Sequence, residues 1–272
     1  MIIYTHPDCL LKDNGPNHPE RKERLDSVLE SINQMKDIEI NFKEAPFAHI
    51  DTISLVHPKK HIESIFSNIP KNGLIGVKKE PYADTMLCPN SKQAILRSCG
   101  AGIAAADDLM NKNERIFCAI RPPGHHAETR KAMGFCFINN IAVTARYLQK
   151  KYKVKKVAII DFDVHHGNGT QEIFYNDETV AYGSSHESPL FPGTGSEKEK
   201  GVGNIFNATL KAGTNGQEFL RIFEQKILSP IDKFKPEIIL ISAGFDAHIR
   251  DPLASINLES KDFYEITKMI VN

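Results

Sequence analysis

From Val157 to Thr170 the chain reads VAIIDFDVHHGNGT, an unbroken apolar run that breaks into charge. Such a run is the mark of a strand buried on both faces of a parallel sheet, because alternation is needed only where one face meets water. A buried strand has no solvent-side reason to finish in Asp161, Asp163, His165 and His166. In an extended chain residues i, i+2 and i+4 share a face, so Asp161, Asp163 and His165 start out pointing the same way. Carboxylates on one side repel unless a cation or a proton sits between them. One Asp or one His here would be an ordinary turn or capping residue. The cluster needs mutual compensation, and Asp-x-His is read as half of a metal site.

The 272 residues contain no Ser/Gly/Pro-rich linker and no like-charge block, which favours one domain over 1–272. Lys plus Arg and Asp plus Glu are both 34, so no charge excess points to nucleic acid or to a membrane surface. The five cysteines (Cys9, Cys88, Cys99, Cys118, Cys136) form no Cys-x-x-Cys pair, which suggests reduced thiols and a cytoplasmic setting. The N-terminal MIIYTHPDCL is not signal-like, and no stretch approaches the ~18 apolar residues a membrane span needs. A soluble protein is expected.

In chain order, Met1 to His6 reads as a short strand, and a helix follows from Pro19 with Leu25, Val28, Leu29 and Ile32 on one face. Ile38 to Phe47 is read as a strand, HPKKHIESIFSNI as a short helix, and Lys71 to Leu87 as a long functional loop. Ser91 to Met110 should be a helix whose Gly100 and Gly102 admit a close neighbour. A strand from Arg115 to Ile120 leads through RPPGHHAETRKAMGFCFINN into a helix from Asn139 to Lys151. After the Lys155 to Val164 strand come a short helix, strands at Thr179 to Ser184 and Asn207 to Leu210, an amphipathic helix from Gly216 to Phe234, and a buried strand from Glu237 to Ser242. This alternation predicts an α/β fold with a mostly parallel sheet and helices on both faces.

Three apolar strands give way to polar strings: IFCAI to RPPGHHA, VAIID to DVHHGNG, and IILIS to AGFDAH. In a parallel sheet the carboxyl ends lie on one edge, where ligands bind, so His125, His126, Asp163, His165 and Asp246 can converge there. Asp163, His165 and Asp246 would offer two oxygens and one nitrogen to a divalent ion and leave a position for water, the arrangement of a catalytic zinc site. Fe2+ and Co2+ also fit this ligand set. His125 and His126 are then candidates for proton transfer, with Asp161 and Asn168 placed to orient them. The alternative is a pair of solvated loop histidines.

RPPGHHA, GFCFINN, DFDVHHGNGTQ, FPGTG and SAGFDAH, in this order, resemble the histone deacetylase family, above all its class II members and the bacterial deacetylases and acetylpolyamine amidohydrolases. The likeness runs from His18-Pro19-Glu20-Arg21 to the end of the chain. It implies the arginase-like α/β fold and zinc-dependent removal of acyl groups from lysine side chains or polyamines, with metal-activated water as nucleophile. By position it makes Asp163, His165 and Asp246 the metal ligands, His126 the general base and acid paired with Asn168, and His125 an electrostatic partner held by Asp161. It also implies an acyl-lysine tunnel walled by Gly134, Phe135 and Phe191, although Phe191 could equally be a core residue. A structural K+ or Na+ would be held by Asp161, Asp163, His165 and Ser184, and Asp84-Thr85 would lie near the substrate backbone.

The sequence departs from the family in one respect. It contains no Gly-Gly-Tyr, the motif whose tyrosine would stabilise the oxyanion. Ser260 is read as the cap of a closing helix with Phe263, Ile266 and Ile270 on its apolar face, and Tyr264 there is not expected to substitute. The last strand and helix of the domain, with the tyrosine, are expected to be absent, which would weaken turnover about 10²- to 10³-fold. Two rival readings follow: an acyl-lysine-binding metalloprotein without turnover, and an arginase-like ureohydrolase with two metals. A homo-oligomer is compatible with the sequence.

Overall fold

The computed structural model describes residues 1–77, 84–112 and 114–271. They form two compact units, Met1–Tyr152 and Lys153–Asn272.

In the first unit β1 (Ile2–Thr5) lies between β2 (Asn41–Glu44) and β5 (Ile116–Cys118), parallel to both. Strand geometry sends successive side chains to opposite faces, and each face of β1 meets a different helix. Ile3 packs with Leu25 and Ile32 of α1 (Lys22–Asn33), while Ile2 and Tyr4 pack with Ala101 of α4 (Ser91–Lys112). The close approaches expected at the α4 glycines are present. A Cβ on Gly100 would lie 1.9 Å from the Pro46 carbonyl oxygen, and one on Gly102 would lie 2.3 Å from Thr144 Oγ1 on α5 (Asn140–Tyr152). Two further helices, α2 (Ile50–Ile53) and α3 (Lys59–Ser67), precede a short antiparallel pair, β3 (Ile75–Gly76) and β4 (Met86–Leu87). The long loop expected from Lys71 to Leu87 thus has paired ends, and its residues 78–83 lie outside the described residues.

The second unit is a four-stranded parallel sheet in the order β8 (Ile205–Leu210), β7 (Val180–Glu187), β6 (Val157–Asp161), β9 (Ile238–Ser242). Every residue of β6 is buried, as the unbroken apolar run required, and so is every residue of β7 despite its polar second half. On one face Ala158 and Ile160 share a core with Phe219 and Phe223 of α7 (Gly216–Phe223), Ile231 of α8 (Ser229–Phe234), and Phe263 and Ile266 of α9 (Ser260–Val271). The DFDVHHGNG string leads into α6 (Asn168–Phe174).

Several details differ from the sequence reading. The strand read as buried, β9, is an edge strand with Ile239 and Ile241 exposed, because among the described strands only β6 pairs with it. The expected helix from Gly216 to Phe234 is interrupted by a π-helical turn over Glu224–Leu228, where the Ser229 N–H donates to the Glu224 carbonyl. Pro230 has no N–H to give the Lys226 carbonyl, so the usual ladder cannot run through unchanged. Ser260 is the first helical residue of α9 and not its cap. The end is tied instead by the Asp262 carboxylate, which accepts the Glu259 N–H at 2.8 Å. Of the three motif-bearing strands, β6 and β9 are hydrogen-bonded neighbours, whereas β5 is paired with β1 in the sheet of the first unit.

None of the five cysteines forms a disulfide. Burial pushes the Cys99 and Cys118 thiols up to about 12, which keeps them un-ionised and chemically quiet. Among the described residues no helix is long and apolar enough to cross a membrane.

Candidate active site

In the second unit the register of β6 against β9 decides which side chains meet. Asp161 lies opposite Ser242, so Asp163, two residues on, and Asp246, four residues on, leave the sheet from the same edge. Ligand atoms of Asp163, His165 and Asp246 all lie within 4.8 Å of one another. His165 Nδ1 is 3.1 Å from Asp163 Oδ1 and 2.9 Å from Asp246 Oδ2. Main-chain donors fix both carboxylates: Asp163 Oδ1 accepts the His165 N–H at 2.9 Å, and Asp246 Oδ1 accepts the Val164 N–H at 3.0 Å.

The electrostatics of this trio are those of a site short of positive charge. Burial works against a charged His165, but hydrogen bonds and charge from Asp163 and Asp246 outweigh it and raise the imidazole to about 10. Burial, and next the negative charge of Asp163, push Asp246 up to about 6. Two carboxylates and an imidazole converging on one point fit a divalent cation, and no further ligand type is needed. The fit depends on Gly244: a Cβ there would lie 2.1 Å from Asp163 Oδ2.

Around the trio, Asp161 is fully buried; its carboxylate accepts the Asp163 N–H at 3.2 Å and the Tyr182 hydroxyl at 2.9 Å. Ser184, its partner across the sheet, is also buried and hydrogen-bonds His186 Nδ1 at 3.0 Å. Asn168 is buried at the start of α6, its N–H on the His166 carbonyl. Phe191 is 43% exposed and meets the His165 ring edge-on at 6.4 Å, which removes the core-packing alternative. Tyr264 is 66% exposed on α9.

In the first unit His125 and His126 are buried, with ring centroids 4.0 Å apart, and are not solvated loop residues. Their loop is held by groups whose importance the sequence alone did not reveal. Ser98 Oγ donates to the Pro122 carbonyl at 2.7 Å, and Asn139 Nδ2 donates to the Ala127 carbonyl at 3.2 Å while Asn139 Oδ1 accepts the Ala142 N–H. Asn140 Nδ2 reaches both Ser98 Oγ and the Pro122 carbonyl. Gly134, at φ 54°, lies against His126, and a Cβ there would be 2.4 Å from the imidazole Cδ2. The next residue, Phe135, donates its N–H to Thr85 Oγ1 at 3.0 Å. Asp84, beside Thr85, accepts on its carbonyl from His18 Nε2 at 2.9 Å.

Compared with known proteins, residues 18–272 match the family described as Histone deacetylase domain. The chain belongs to the histone deacetylase family. A probable deacetylase of Archaeoglobus fulgidus is 35% identical over 99% of this chain and 75% of its own length. The histone deacetylase-like amidohydrolase of Pseudomonas aeruginosa is 33% identical over 93% of this chain and 66% of its own length. The crystal structure of the HDA15 HD domain superposes with a TM-score of 0.90 at 30% identity, covering 98% of this chain and 78% of that one. The chain therefore has the family's α/β fold, and the family's chemistry is hydrolysis of acetylated substrates with general dependence on a metal. Here Asp163, His165 and Asp246 are the residues whose geometry suits that metal.

Proposed function

We propose that the protein is a zinc-dependent deacetylase that hydrolyses N-acetyl or related N-acyl amides of lysine side chains or polyamines. The observation that carries this reading is the convergence of Asp163, His165 and Asp246 at the carboxyl ends of adjacent parallel strands. Zn2+ held there would act as a Lewis acid toward the amide carbonyl and lower the pKa of water toward ~7; Fe2+ would serve similarly. His126 takes the proton from the attacking water and passes it to the departing amine, with Asn168 as its partner. His125, oriented by Asp161, stabilises the charge that develops. Gly134, Phe135 and Phe191 form the walls that hold an unbranched acyl-lysine chain, and Asp84 lies near the substrate backbone. Asp161, Asp163, His165 and Ser184 hold a structural K+ or Na+, and the reduced thiols suit the cytoplasm.

The test is acetate release from acetyl-lysine peptides and acetylpolyamines by zinc-loaded protein, together with the metal count per chain. One metal per chain and acetate release lost in His126→Ala are expected. Full activity in His126→Ala would refute the assigned roles, and two metals per chain would favour a ureohydrolase. Tight peptide binding without acetate release would make the protein a binding module.

A further inference from the structure

A closed ring of contacts in the first unit joins three segments that are far apart in sequence. His18 Nδ1 accepts the Glu20 N–H at 3.0 Å, so its proton resides on Nε2, which donates to the Asp84 carbonyl at 2.9 Å. The Asp84 carboxylate accepts the Thr85 hydroxyl at 2.7 Å, and Thr85 Oγ1 in turn accepts the Phe135 N–H at 3.0 Å. The Phe135 ring closes the circuit by meeting the His18 ring edge-on, 4.7 Å between centroids. Phe135 sits at φ 67° directly after Gly134 at φ 54°. A bulky residue in the left-handed region persists only where its surroundings hold it, and here the holding groups are Thr85 and His18. Gly134 in turn presses on His126, so the ring ends at the imidazole assigned to proton transfer.

We propose that His18 is a positioning residue for substrate. It fixes the Asp84 main chain and the Phe135 ring at one spacing, so that a polar group and an aromatic wall are presented together to an acylated lysine within a peptide. The inference rests on the deacetylase reading and deepens it. Among the described residues Thr85 is the donor to the Asp84 carboxylate, through Oδ1, so Oδ2 can still accept an N–H of an incoming chain. His18 touches no reacting atom in this scheme; its effect passes through Asp84 and Phe135.

The experiment compares His18→Phe, which keeps a ring but removes both nitrogens, with His18→Gln, which restores a donor. Both are assayed in zinc-loaded protein with an acetyl-lysine peptide. His18→Phe should raise KM and peptide Kd about fivefold to tenfold, the worth of one hydrogen bond, with kcat within about twofold. It should also speed hydrogen exchange at the Phe135 amide, and His18→Gln should recover most of both effects. Adding His18→Phe to Asp84→Ala should cost less than the two single losses summed, because the share of the His18 effect that passes through the Asp84 carboxylate is already gone. A fall in kcat at unchanged KM, or additive losses in the double variant, would overturn the inference. If the wild-type protein neither binds nor cleaves acetyl-lysine peptides, the deacetylase reading fails first. Unchanged Phe135 exchange in His18→Phe would separately show that the ring does not hold the loop.

Discussion

The two units fix their reactive side chains by the same mechanical device under opposite electrostatics. In each, a glycine occupies the space beside the side chain that matters: Gly244 against Asp163 in the second unit, Gly134 against His126 in the first. In the second unit two acidic groups are forced together, and the strain appears as an imidazole raised to about 10 and a carboxyl raised to about 6. In the first, two imidazoles are buried against each other and their loop is secured by the side chains of Asn139, Asn140 and Ser98, which donate to main-chain carbonyls of Ala127 and Pro122. One site is short of positive charge and suits a cation. The other depends on orientation, so the two should fail differently when disturbed.

The largest effect is expected from Asp246→Ala, which removes one of the three side chains proposed to hold the metal. Metal uptake should fall below detection, with a loss of acetate release of about a thousandfold or more. Chelation should cause the same loss, reversed by added zinc. Gly244→Ala displaces Asp163 without deleting a ligand, and zinc affinity should drop about tenfold to a hundredfold in a competition titration. Gly134→Ala is the sharpest test of the comparison: metal affinity should stay unchanged while turnover falls about a hundredfold from displacement of His126. Equal metal loss in the two glycine variants would erase the distinction between the units.

The smallest effect is a dependence of stability on pH, which both units share, since burial also lowers His186 of the second unit from 6.5 to about 4. His57 is fully buried in the first unit; Nδ1 donates to the Thr129 carbonyl and Nε2 accepts the Asn139 N–H at 2.9 Å. Burial, and then the nearby His61, lower it from 6.5 to about 4. The unfolded chain therefore takes up a proton in a range where the folded chain does not. The stability contribution is intact above pH 6.5 and declines as the pH falls toward 4, by at most about 3 kcal/mol. Urea midpoints at pH 7 and pH 5 should show this decline, and His57→Gln should reduce it, leaving the share carried by His186. Because Asn139 also holds the loop of His126, acid should loosen that loop before the whole unit unfolds.

Much of this was legible in the residues. The unbroken VAIID run forecast a buried strand, and the charges at its end forecast that Asp163 and His165 would meet Asp246. Gly100 and Gly102 in α4 forecast close packing, and both are pressed against neighbours. Tyr182 was invisible as a partner of Asp161, because an isolated tyrosine in a strand carries no sign of what its hydroxyl will meet across the sheet. Asn139 and Asn140 stood inside a motif, yet their role depends on carbonyls from other segments. The π-helical turn before Pro230 and the pairing of β5 with β1 likewise follow from interactions that no local pattern encodes.

By itself the sequence determined the fold class, the family and the identity of the chemical groups, because hydrophobic periodicity and residue type are local properties. Tertiary structure decided which of those groups touch. The register of β6 against β9 brought Asp246 to His165, and the fold of the loops brought His18 to Phe135. Distances of that kind are set by packing among segments remote in the chain, and the protonation of each group follows from those distances.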